Sequence, residues 1–119
     1  MNGQRILLAI AALWGLFGVV LLAAGAHGPY AGTLSTGGQC LLFHAATVLA
    51  LLNTQLVSGW RRAAPIGLML TGSGLFAVEI ALHAMAGVSA LGFLAPIGGG
   101  FAILGWLALF IGAAYKPKP

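Results

Sequence analysis

Acidic side chains are almost missing from this 119-residue chain: aspartate does not occur, and Glu79 is the only glutamate. No Ser-His-Asp set can be assembled from that inventory. A Ser or Cys working with a histidine and Glu79 would need a strained geometry inside an apolar segment. Charge of either sign is scarce, at 5% of residues, where an ordinary soluble domain carries roughly a quarter. A surface that poor in charge cannot face water. One cysteine, Cys40, excludes an intramolecular disulfide and a four-cysteine zinc motif, and it leaves the redox compartment undefined. Phosphate-loop signals are missing too. Gly72-Ser73-Gly74 lacks the preceding strand, the lysine and the third glycine, and Gly98-Gly99-Gly100 opens an apolar helix. These absences lead to the expectation of a protein that is not an enzyme and holds no cofactor.

What the chain does have is apolar length. Hydrophobic residues make up 61% of it, and its mean hydropathy is +1.05. A membrane-crossing helix needs about 20 apolar residues, so four crossings use nearly all of a single domain over residues 1–119. The expected spans are about 6–26, 38–57, 64–86 and 93–115. The first ends in Ala24-Gly25-Ala26-His27, which imitates a signal-peptide cleavage site, but its apolar run exceeds the 7 to 15 residues of a signal core. Gly28-Pro29 breaks that helix, and residues 27–37 read as an uncharged loop. Spans alternating with short turns predict an all-α, up-down four-helix bundle.

Every Lys and Arg (Arg5, Arg61, Arg62, Lys116 and Lys118) lies near the N-terminus, in the second connection or at the C-terminus. With four spans those three places share one side. The positive-inside rule therefore predicts cytoplasmic termini in a multi-pass protein of a bacterial inner membrane, and it explains the +4 net charge without nucleic acid.

Small residues recur on two helices: Ala11, Gly15, Gly18 and Gly25 on the first, and Gly98, Ala102, Gly105 and Gly112 on the fourth. Steps of three, four and seven put each set on one face. In lipid, where apolar burial does not drive helices together, such seams allow close backbone approach. They serve packing within the bundle or a face for another subunit or copy.

Glu79 lies well inside the third span, with His83 one turn on and on the same face. Cys40, His44, Thr47 and Thr54 form a polar stripe on the second span. Counted from the expected ends, His44 lies about 9 Å and Glu79 about 10 Å below the outer edge. One outer-half cluster of Cys40, His44, Glu79 and His83, with His27 above it, is the expectation. Such a cluster could be an interhelical hydrogen-bonded lock, a proton or ion relay, or a metal or haem site with His44, Glu79 and His83 as candidate ligands. A lipid or quinone pocket is the fourth reading. Pairs four residues apart, such as Cys40/His44, are too common to choose among these.

Three segments stand out together: Gly25-Ala26-His27-Gly28, Gln39-Cys40-Leu41-Leu42-Phe43-His44-Ala45, and Ala95-Pro96-Ile97-Gly98-Gly99-Gly100 with Gly105-Trp106. In combination they resemble the DUF423 family of small membrane proteins, which includes bacterial YgdD-like proteins and the animal transmembrane protein 256. The resemblance implies a four-helix membrane fold and puts His27, Gln39, His44, Pro96, Gly98, Gly99 and Trp106 on family positions. It departs at Cys40, where an aromatic residue is usual, and at Phe76-Ala77-Val78-Glu79-Ile80-Ala81, where the family tends to a Phe-Ser-Gly-Ser-Leu-Tyr-like stretch. Glu79 and His83 are therefore private features of this chain. The family carries no established activity to transfer. The leading expectation is an accessory or assembly subunit that contacts lipid and packs laterally against other membrane subunits or its own copies. The runner-up is an ion-, proton- or metal-binding protein that uses the Glu/His cluster.

Overall fold

The computed structural model describes residues 2–118. Four helices make up almost all of it: α1 (Gly3–Ala26), α2 (Ala31–Asn53), α3 (Trp60–Ala86) and α4 (Leu94–Ala114). All four are long and apolar enough to cross a membrane. The Asn2 side chain caps α1 by accepting the Arg5 N–H at 2.9 Å. Gly87, at φ 67°, ends α3 in the left-handed conformation that glycine adopts without penalty. Arg5, Arg61, Arg62, Lys116 and Lys118 gather at one end of the bundle, and the connections at the opposite end carry no Lys, Arg, Asp or Glu.

Helix α2 starts seven residues earlier than Thr36-Gly37-Gly38 led us to expect, so only residues 27–30 connect it to α1. Those glycines are a crossing point and not a loop. A Cβ on Gly38 would lie 2.7 Å from the Gly18 carbonyl oxygen and 2.9 Å from Leu22 Cγ, and one on Gly37 would lie 3.3 Å from Ile80 Cγ2. Close packing on both sides outweighs glycine's weak helix propensity. At its other end α2 stops at Asn53, because Thr54 turns extended and its hydroxyl accepts the Leu56 N–H at 3.2 Å.

Helix α1 packs on α2, α2 on α3, and α3 on α4, while among the described residues α1 and α4 do not pack on each other. Helices α2 and α3 are thus central, and α1 and α4 flank them. The second crossing, α3 over α4, is the tightest: a Cβ on Gly72 would meet Ala102 N and Gly98 O, each at 2.5 Å. Gly18, Gly25, Gly98, Gly105 and Gly112 all pack inside the bundle, whereas nothing lies within 4 Å of a Cβ on Gly15. The α1 seam therefore omits Gly15. Ala11, Val48, Leu51, Ile66, Met69 and Leu70 form the main apolar core, in the basic half.

At the basic end Arg61 Nη1 donates to the Gly112 carbonyl at 3.0 Å, and its guanidinium lies 5.8 Å from the Tyr115 ring centroid. A cation here satisfies one of the unpaired carbonyls at the C-terminus of α4 and opposes the helix dipole. Replacing Arg61 with Ala should cost about 1 kcal/mol and fray the last turn of α4. Faster hydrogen exchange confined to residues 111–115 in detergent micelles would show it, and unchanged exchange there would refute it.

A candidate functional site at mid-depth

His44 lies thirteen residues beyond Ala31, about 20 Å along the axis at 1.5 Å per residue. It is therefore at the middle of α2 and not in an outer layer. Its ring is buried between two partners. Nδ1 is 2.7 Å from the Cys40 carbonyl oxygen, and Trp106 Nε1 on α4 is 3.2 Å from Nε2. A carbonyl only accepts and an indole N–H only donates, so His44 is the neutral tautomer protonated at Nδ1. The two rings meet edge to face, with centroids 6.0 Å apart. Cys40 Sγ, at 3.8 Å from Nδ1, adds a weaker contact.

A second bond of the same kind ties α1 to α3. Trp14 Nε1 donates to the Leu70 carbonyl at 2.9 Å, and the indole lies against Gly74, where a Cβ would come 2.8 Å from Trp14 Cζ2. Ser73, fully buried, returns its hydroxyl to the Met69 carbonyl at 2.7 Å. Trp14, His44, Ser73 and Trp106 are all near the midpoints of their helices. Tryptophan is enriched at membrane interfaces, so a tryptophan at the centre of each flanking span was the available signal that its N–H has a buried acceptor.

The other polar residues do not join this belt. Because Gly37 meets Ile80, the antiparallel register sets His44 level with Ser73. Glu79 is then six residues, about 9 Å, nearer the charge-free end. It is buried on the α4-facing side of α3, two turns beyond Gly72, and level with the uncapped first turn of α4, where the helix dipole favours a carboxylate. His83 and His27 are exposed further out. Cys40 and His44 are thus brought together, and Glu79, His83 and His27 stand apart from them. Among the described residues, no group of three or more His, Cys, Asp and Glu side chains is placed to hold a metal ion.

A cavity of about 260 Å³ opens between α1, α2 and α3 on the charge-free side of Trp14, lined by Phe17, Leu21, Leu41, Ala77 and Val78 among others. Its lining is apolar, and the Trp14 N–H is already engaged, so a quinone carbonyl would find no donor there.

Residues 21–99 match the family described as protein of unknown function (DUF423). The chain belongs to the DUF423 family. No curated protein and no solved structure gives a match. The DUF423 region holds Gly38, Gly72, Gly98, His44 and Glu79, but not Gly18 and neither of the tryptophans Trp14 and Trp106. Each belt bond of this DUF423 protein therefore joins a donor outside the matched region to an acceptor inside it.

Proposed function

We propose that this DUF423 protein acts by lateral association, as a non-enzymatic accessory or assembly subunit of a larger membrane complex. The observation that carries the reading is how little lies outside the helices: connections of four, six and seven residues join the four spans. Contacts with a soluble partner have almost nothing to rest on, so recognition is between helix faces. The distribution of Lys and Arg supports cytoplasmic termini, and the resemblance to bacterial proteins supports an inner membrane. Ion, proton or metal binding draws less support, since both nitrogens of His44 are engaged within the bundle.

Native purification in mild detergent, with intact mass and an elemental scan on the same sample, tests the reading. A metal-free assembly containing a stoichiometric foreign membrane subunit is expected. A bare monomer, or a chain carrying about one metal ion, would overturn it.

A further inference from the structure

At the middle of their lipid-facing surfaces α1, α3 and α4 present mostly apolar side chains, the exceptions being the Thr71 hydroxyl on α3 and the Trp106 indole, whose N–H is engaged by His44. On α1 the apolar ones include Leu16, Phe17 and Val20, on α3 Val78, and on α4 Ile103, Leu107 and Phe110, all exposed. Helix α2 is covered on one side by α1 at Gly38, on another by α3 at Gly37, and is reached by α4 through His44. Thr36, Gln39, Phe43, Ala46, Ala50 and Asn53 remain exposed, at alternating steps of three and four. That spacing is the seam of a left-handed helix pair.

The polar groups on and beside this stripe divide sharply. Thr36 donates to the Gly32 carbonyl at 2.9 Å, Thr47 to Phe43 at 2.8 Å, and Asn53 to Leu49 at 2.7 Å. Each is satisfied one turn back on its own helix. The Gln39 amide has no such bond among the described residues. It is eight residues beyond Ala31 and five from His44 at mid-depth, well within the hydrocarbon by helix rise. An unsatisfied amide is strongly disfavoured there, and a hydrogen bond across helices removes the penalty.

On the reading of lateral association above, we propose that this face of α2 pairs with the same face of a second copy, about a two-fold axis normal to the bilayer. Three features select a copy over a foreign helix. A glutamine amide both donates and accepts, so two Gln39 side chains satisfy each other reciprocally. A second copy inserted in the same orientation carries its own Gln39 to the same depth, as an isologous interface requires. The stripe bears no charge to repel its own image, and Phe43, 65% exposed, is followed by Ala46 and Ala50, which leave room for the opposing ring.

The test uses the full-length protein in mild detergent and in liposomes. Wild type should be dimeric by native mass spectrometry, and Gln39→Leu should weaken the dimer at least tenfold with unchanged helicity by circular dichroism. In a Cys40→Ser background, Ala46→Cys should form a disulfide-linked dimer on oxidation of vesicles, whereas Val20→Cys on α1 should not. A dimer indifferent to Gln39→Leu and cross-linked equally at Val20→Cys would refute this face yet leave lateral association standing. Cross-linking of Ala46→Cys to a foreign chain instead would refute the second copy. A monomer with neither product nor partner would end both readings.

Discussion

Gly72→Ala should separate α3 from α4 and leave little folded protein after extraction. The new Cβ would sit 2.5 Å from two backbone atoms of α4, Ala102 N and Gly98 O. No side-chain rotation relieves a clash with backbone. The crossing is reciprocal: a Cβ on Gly98 would lie 2.6 Å from both Gly72 O and Phe76 N. Overpacking in a well-filled core costs typically 1 to 3 kcal/mol, and a double backbone clash belongs at or above the top of that range, about 3 kcal/mol. Gly99→Ala is the matching control, because nothing lies within 4 Å of a Cβ there, and an alanine in a helix is favoured over glycine by up to about 1 kcal/mol. The fraction remaining monodisperse through a thermal ramp in detergent reads both. A Gly72→Ala protein as stable as wild type would mean that the two helices do not cross at this point.

His44→Leu is the second large effect, and it acts through its partner. The substitution fills much of the same space but leaves the Trp106 indole N–H without its acceptor at the centre of the span, a loss of about 1 to 3 kcal/mol. Trp106→Phe alone should also destabilise, by stranding the His44 Nε2 lone pair. The double variant should lose less than the sum, since removing both partners removes the orphaned group as well. Unfolding each protein by titrating SDS into mild-detergent micelles supplies the four free energies. Additive losses would mean that the 3.2 Å contact contributes nothing.

The number of spans was legible in the chain because apolar length constrains it directly. Gly18 and Gly25, and Gly98, Gly105 and Gly112, recur on single faces that the sequence displays, but the glycines opposite them, Gly38 and Gly72, carry no such signal. The start of α2 was not legible. Thr36-Gly37-Gly38 has the composition of a turn, and only the neighbouring Gly18, Leu22 and Ile80 reveal why glycine is needed within a helix there. That one misplacement also displaced the site. With α2 starting at residue 38, His44 falls level with Glu79, whereas its true start moves His44 to mid-depth. The tryptophan bonds depend on how the helices are rotated about one another, which periodicity within a single helix does not specify.

Among the described residues the flanking helices do not pack on each other, and each reaches across to the central helix that is not its neighbour in sequence, α1 to α3 through Trp14 and α4 to α2 through Trp106. This implies an order of events during biosynthesis. Each glycine-crossed hairpin, α1 with α2 and then α3 with α4, is closed by contacts between consecutive helices and is complete as soon as its second helix leaves the insertion machinery. Trp14 has no acceptor until α3 arrives, and Trp106 comes only with α4, so neither bond can form within the first hairpin alone. The two tryptophan bonds thus clasp together two halves that are each closed by a glycine crossing of their own.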